Sequence, residues 1–270
     1  MTHARFDLSR LLTSSVVAHY CATVAEKAGF CVTRSTNSLK AKRLEVLSGL
    51  GIEVALDVGA NKGQWASELR RSGYLGKIIS FEPSPEPFAQ LQTLARCDQQ
   101  HACVQAGLGS RDGTAQLLTT SATVNSSFRN PVHRPNLSSG IEVEGQVTVL
   151  IRRLDSVLPS LASETDRFYL KIDTQGFERE VLTGAPDTLS RTDAVEIELS
   201  LLELYEGQGL LPEVWELLVS SGLRPAWIER GYRESGDIWL LQVDGLFVRE
   251  KSWKARSKNK SSKLKNGMKR

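Results

Sequence analysis

The sequence predicts an α/β fold in which a mostly parallel sheet is covered by helices on both faces. Three observations carry this reading. Apolar runs of strand length recur between amphipathic segments of helix length, a turn bracketed by glycines joins the first such pair, and a second apolar run ends in a carboxylate at a set distance beyond it.

Taken in order, residues 1–36 place Leu8, Leu11, Leu12, Val16, Val17 and Tyr20 at helical spacing, which predicts one or two helices over the core or the substrate entrance. Ser38 to Leu50 predicts a further helix, with Leu44, Leu47 and Leu50 on one face and glycines at its end. Residues 1–50 are therefore expected to form a helical cap, and 51–250 the main domain.

That domain opens on Val54–Val58, a first strand, followed by Gly59-Ala60-Asn61-Lys62-Gly63 and a helix whose buried face is Trp65, Ala66 and Leu69. A sharp strand-to-helix turn needs positive φ or close backbone approach. Gly59 and Gly63 tolerate this best, and asparagine at position 61 is a side-chain-bearing residue that readily enters the left-handed region. Lys77–Glu82 predicts strand two, and the Pro83–Pro87 turn starts a helix buried through Phe88, Leu91 and Leu94. Ala102–Leu108 supplies strand three.

Residues 114–154 interrupt the alternation, with short strands over Ala115–Leu118 and Val147–Ile151 around a polar stretch. A long loop in a compact domain folds over a site or stays mobile. In the first case Asn125, Ser126 and Ser127 can bind hydroxyls and His133 is a candidate base. In the second, the histidine is incidental. Arg167–Ile172 is strand four, followed by a helix through Phe177, Val181 and Leu182 that ends by Gly184, and Val195–Leu199 is strand five. Leu210–Val219 is a helix, and Arg224–Glu229 with Ile238–Arg249 suits a closing antiparallel pair.

Glu82, 19 residues after Gly63, stands where such folds bind the two hydroxyls of a ribose, which implies a nucleoside-bearing cofactor. Asp57 would repel a dinucleotide phosphate, whereas S-adenosylmethionine offers an amino group and a positive charge. Asp57 is accordingly expected to face the cationic end of the cofactor, with its carboxylate over the amides of Asn61 to Gln64. Ligands of open α/β sheets lie beyond the carboxyl ends of the strands, near the topological switch point. That places Asp173 near the transferred group. Glu198, at the carboxyl end of strand five, is either a second substrate or metal contact or the partner of Lys171 or an arginine.

Three motifs in order, Leu56-Asp57-Val58-Gly59-Ala60-Asn61-Lys62-Gly63, Phe81-Glu82-Pro83-Ser84-Pro85 and Leu170-Lys171-Ile172-Asp173-Thr174-Gln175-Gly176-Phe177-Glu178, resemble the FkbM family of class I methyltransferases, and Gly107-Leu108-Gly109 also fits. Thr174-Gln175 departs from a pattern that in many members has a hydrophobic residue and Glu. The resemblance covers about residues 50–250 and implies a Rossmann-like class I methyltransferase sheet, mostly parallel with a C-terminal antiparallel strand. It also implies an S-adenosylmethionine-dependent O-methyltransferase acting on a hydroxyl, often of a sugar, in a glycolipid or another glycosylated natural product. Cofactor contacts are then expected from Asp57, Gly59, Asn61, Gly63, Glu82, Pro83 and Gly107. Asp173 is the expected base or ligand of a divalent cation such as Mg²⁺, with Glu198, Glu178 or His133 assisting.

Composition narrows the alternatives. Of 34 Lys/Arg, nine lie in 251–270 without an acid, leaving 25 basic against 31 acidic side chains in the first 250 residues. An acidic body argues against a nucleic-acid methyltransferase, although the basic tail, expected to be disordered, can meet phosphates or an anionic membrane. A non-catalytic cofactor-binding partner protein is disfavoured by the presence of Asp57, Gly59, Glu82 and Asp173. Four cysteines without a C-x-x-C pair suggest reduced thiols and the cytoplasm, and no apolar stretch has transmembrane length.

Overall fold

The computed structural model of the protein describes residues 37–132, 141–233 and 238–256. The helices expected within 1–36, the candidate base His133 and the tail beyond 256 lie outside the described residues. Helix α1, Leu39–Leu50, starts where the Ser38 hydroxyl accepts the Ala41 N–H at 3.3 Å, and it ends at Gly51, whose φ of 62° lets its N–H return to the Leu47 carbonyl.

From there the alternation follows the expected order. Strand β1 (Val54–Val58), helix α2 (Gln64–Arg71), strand β2 (Lys77–Phe81), helix α3 (Pro85–Ala95) and strand β3 (His101–Val104) succeed one another. The expected third strand is two pieces. The second, β4 (Gly107–Leu108), leaves the main sheet to pair with β6 (Val143–Arg152), which also pairs antiparallel with β5 (Gly113–Thr120). The interruption of the sequence pattern over 114–154 is thus mostly a small second sheet, of order β4-β6-β5.

A short helix α4 (Leu154–Val157) leads to β7 (Phe168–Ile172), α5 (Glu178–Thr183), α6 (Pro186–Arg191) and β8 (Thr192–Ser200). Helix α6 is an addition to the expected elements. Pro186 at its start breaks the apolar period and supplies a helix-compatible φ. Helix α7 (Leu211–Ser220) and strands β9 (Leu223–Arg230) and β10 (Gln242–Arg249) complete the described domain. The main sheet runs β3-β2-β1-β7-β8-β10-β9, and β10 is antiparallel to both its neighbours while the pairs from β3 to β8 are parallel.

Side-chain alternation then divides the sheet into two unlike faces. One carries Val54, Leu56, Val58, Phe168, Leu170, Ile172, Val195 and Ile197 against Val181, Leu182, Leu189, Val214 and Leu218 of α5 to α7. The other meets α1 and α2 through Ala55, Tyr169, Ala194, Leu246 and Val248. On this second face the polar positions fall in register: Asp57 is opposite Lys171, Lys171 opposite Glu196, and Glu198 opposite Asp244. A row of charges under a helical layer must be paired or used.

The tail does not begin as disorder at Lys251. Residues 250–256 are helical, Trp253 packs against the α1 side of the core, the Arg256 guanidinium lies 4.2 Å from the Trp253 ring centroid, and the Ser252 hydroxyl donates to Asp193. One tryptophan anchors a segment whose charge pattern alone reads as solvated. Among the described residues no helix is long and apolar enough to cross a membrane.

Candidate active site

The turn after β1 adopts the geometry its residues favour. Gly59, Asn61 and Gly63 have φ of 76°, 48° and 85°. A Cβ on Gly59 would stand 1.8 Å from the Asp173 carbonyl oxygen, so glycine is required there by backbone approach as well as by φ. This contact locks the β1 turn to the end of β7, and Asp173 N–H donates to the Val58 carbonyl at 3.1 Å.

Two clefts meet at this junction. The first has an empty volume of about 610 Å³, part of it open to solvent, and is lined by Glu82, Pro83, Phe81, Gly107, Leu117 and Phe128. The second, about 830 Å³, lies toward α1 and holds Arg43, Trp65, Lys171, Glu196, Glu198 and Asp244. Gly59, Asn61, Val124 and Asp173 line both. Residues after β5 close the first cleft: Val124 and Ser126 face it, while the Ser127 hydroxyl donates to the Gln175 carbonyl at 2.6 Å and so fastens the loop.

Glu82 ends β2 at the first cleft with only 7% of its surface exposed, and its two oxygens accept the N–H groups of Asn61 and Ser84, each at 2.8 Å. Burial pushes its pKa up, against these two hydrogen bonds and Lys171. A carboxylate at the rim of this cleft, beside the apolar surfaces of Phe81, Leu117 and Phe128, offers acceptors for hydroxyls next to walls that suit the faces of a base. The amides expected to hold a cofactor carboxylate are largely engaged within the turn. Asn61 N–H goes to Glu82, Lys62 N–H to Gln64 Oε1 at 3.0 Å, and Gly63 N–H to the Ala60 carbonyl at 2.9 Å.

Asp57 corrects a second expectation. It is fully buried and lines neither cleft, because alternation turns it beneath the turn. Its Oδ1 lies 3.2 Å from Lys171 Nζ, and the same ammonium donates to the Gly59 carbonyl at 3.1 Å and lies 3.6 Å from Asp173 Oδ2. Burial lowers the Lys171 pKa, but the charges of Asp57 and Asp173 more than offset this, so the net shift is upward and the side chain stays charged. Lys171 thus occupies the place between Asp57 and Asp173 that a bound cation would need, and among the described residues no group of three or more His, Cys, Asp or Glu is arranged to hold a metal ion.

Asp173 is the exposed member of this chain, with 43% of its side chain accessible, and its Oδ1 accepts from Gln175 Nε2 at 2.9 Å. Gln175 adopts φ of 52°, and its amide nitrogen also reaches Glu198 Oε2 at 3.4 Å, while Tyr205 donates to its Oε1 at 3.1 Å. Glu198 is held by Gln242 Nε2 at 2.5 Å and not by Lys171 or an arginine. Burial, and then the charges of Asp173, Glu178 and Asp244, push its pKa well up. Glu178 turns away from both clefts to clamp the loop, accepting from Thr174 N–H at 2.9 Å and Gly176 N–H at 3.1 Å.

The arginine partner belongs to Glu196 instead. Arg43 Nε and Nη2 reach its two oxygens at 2.7 Å each, Arg43 Nη1 reaches Glu68 at 2.7 Å, and Tyr169 donates to Glu196 at 2.5 Å. Arg43, Trp65, Gln175 and Asp244 are site residues that sequence reasoning missed. The helical period of α1 and the unusual Gln175 gave partial signals, but Asp244 had none before its strand was placed beside β8.

A family model described as the methyltransferase FkbM domain matches residues 57–234. The chain is 27% identical over 219 residues to the 2-O-methyltransferase NoeI of Sinorhizobium fredii, covering 77% of this chain and 88% of that protein. It is likewise 27% identical over 190 residues to the methyltransferase sdnD of Sordaria araneosa, covering 62% and 72%. Among solved structures, fibrillarin from Aeropyrum pernix aligns with a TM-score of 0.42 and 12% identity over 76% of this chain and 74% of that one.

Proposed function

The chain belongs to the FkbM methyltransferase family, and from that premise we propose that it transfers the methyl group of S-adenosylmethionine to a hydroxyl of a sugar, in a glycolipid or another glycosylated natural product. The observation that carries this reading is the meeting of two clefts at one half-exposed carboxylate, Asp173. A slot with apolar walls and a buried acid lies on one side, and a polar cleft that includes Trp65 on the other. The relative named as a 2-O-methyltransferase supports oxygen as the methylated atom.

In this reading Glu82 receives the ribose hydroxyls, Pro83 and Gly107 line the same slot, and Asn61 and Gly59 shape the passage between the clefts. When bound, the cofactor supplies an electrophilic methyl group and a neutral thioether leaving group. Asp173 accepts the proton of the acceptor hydroxyl as its oxygen forms the new bond to carbon. Gln175 and Lys171 hold the Asp173 carboxylate toward the passage. Glu198, held by the side-chain amides of Gln242 and Gln175, lines the second cleft beside Asp173. Asp57 acts through Lys171, as a positioning residue.

Incubation with methyl-labelled S-adenosylmethionine, a panel of glycosides and total RNA tests the reading. Label is expected on a sugar oxygen, in the form of a methyl ether identified by mass spectrometry. Label in RNA with none in any glycoside would instead support a nucleic-acid acceptor.

A further inference from the structure

The second cleft carries a chemical bias of its own. Its wall is the polar row on the α1 face of the sheet, and four carboxyl groups, Asp173, Glu196, Glu198 and Asp244, face two cations. Both cations are already engaged. Arg43 is shared by Glu196 and Glu68, and Lys171 by Asp57 and Asp173. The cleft therefore has no unpaired cation to offer a ligand among the described residues.

Its acceptors are another matter. Among the described residues no hydrogen bond or ion pair takes up the Asp244 carboxylate, although it lies opposite Glu198 in the sheet and lines the cleft. Burial, then the charges of Asp173, Glu196 and Glu229, push its pKa up to about 6, still below neutral, and the partly buried carboxylate can accept from a ligand in the cleft. Trp65 lines the same cleft, fixed by a hydrogen bond from its indole N–H to Glu196 at 3.3 Å, by stacking on Tyr169 with ring centroids 6.2 Å apart, and by the Arg43 guanidinium 5.4 Å from its ring centroid. The partly buried indole adds apolar surface to the cleft, and the carboxylates can receive the hydroxyls of a ligand.

Resting on the methyltransferase reading above, we infer that this cleft is the acceptor site, that it takes a neutral polyhydroxylated ring and rejects acceptors bearing an anionic group on that ring, and that Asp244 is the residue that sets this specificity. A carboxylate, sulfate or phosphate placed here would meet Asp173 and Asp244 without a free cation among the described residues to compensate. A ring of hydroxyls can instead donate to these carboxylates.

Saturation-transfer NMR on the full chain loaded with S-adenosylhomocysteine tests this. The probes are methyl glycosides of glucose, galactose and mannose, each paired with its uronate. Neutral members are expected to bind, and each uronate to bind at least about tenfold more weakly. Asp244→Asn, which keeps shape and removes charge, is expected to weaken the neutral sugars by about tenfold, the loss of a charge-assisted hydrogen bond, and to narrow the gap to the uronates. Uronates binding as well as their neutral partners, no sugar binding at all, or an Asp244→Asn variant with unchanged affinities would each overturn the inference. The same samples are titrated with S-adenosylhomocysteine beforehand. Its failure to bind would count against the methyltransferase reading, whereas its binding beside any of those three results would overturn the acceptor inference alone.

Discussion

Lys171→Met is expected to destabilise the fold by about 3–5 kcal/mol at neutral pH, the cost of leaving a buried charge without its partner. Asp57 has no exposed surface, and Lys171 Nζ is its ion-pair partner at 3.2 Å. Burial already raises the Asp57 pKa in the wild type against the pull of Lys171; in the variant Asp57 can relieve the penalty only by taking a proton, which raises its folded-state pKa further above the unfolded value. The sign follows: a carboxylate with a raised folded pKa binds more protons in the native state, so stability falls as pH rises from about 4. The variant should therefore lie nearest to wild type in acid and lose most at neutral pH. Urea unfolding of both proteins between pH 4.5 and 7.5 checks this, and a pH-independent difference would show that the ammonium contributes packing and not charge. Asp57→Leu in the Lys171→Met background should recover part of the loss, because an apolar pair leaves no orphaned charge.

Asp173→Asn is expected to lower turnover by about 10²–10⁴-fold, the range for removing a general base, with S-adenosylhomocysteine affinity changed by no more than a few-fold. The side chain can keep its contact with Gln175 through the amide oxygen, and the backbone contacts of residue 173 with Val58 and Gly59 are untouched. Single-turnover kinetics separates this from impaired binding. Equal turnover in the variant would remove Asp173 from the proton transfer and leave it a boundary residue between the clefts.

How much of this was visible in the sequence depends on how local the determinant is. The β1 turn was legible because its glycines and Asn61 answer a backbone requirement within a few residues. That Glu82 and Asp173 line clefts was legible because each follows an apolar run, and strand ends face the ligand side of an open sheet. Asp57 was misread for a related reason. Its place in the motif says that it is near the turn, but only strand alternation says that it points beneath it toward Lys171, 114 positions away. Arg43 and Glu196 are 153 positions apart, and nothing in either segment announces their pairing. The small sheet was half visible: the strands were found, but β4 read as a continuation of β3 because a two-residue strand has no periodicity to detect. Asp244 became a site residue only when β10 inserted antiparallel between β8 and β9, a placement set by the whole sheet. Trp253 shows the converse, a single apolar side chain docking a segment that charge patterning assigns to solvent.

The most direct test of the central assignment is a calorimetric titration of the wild-type chain and Glu82→Ala with S-adenosylmethionine, S-adenosylhomocysteine and NAD. The account predicts that the first two bind the wild type, that NAD does not, and that Glu82→Ala weakens both by at least about tenfold, as expected when hydrogen bonds to a charged group are lost. Binding of NAD in preference to either sulfur compound, or affinities for them unchanged in Glu82→Ala, would contradict the placement of the cofactor in the slot at the end of β2.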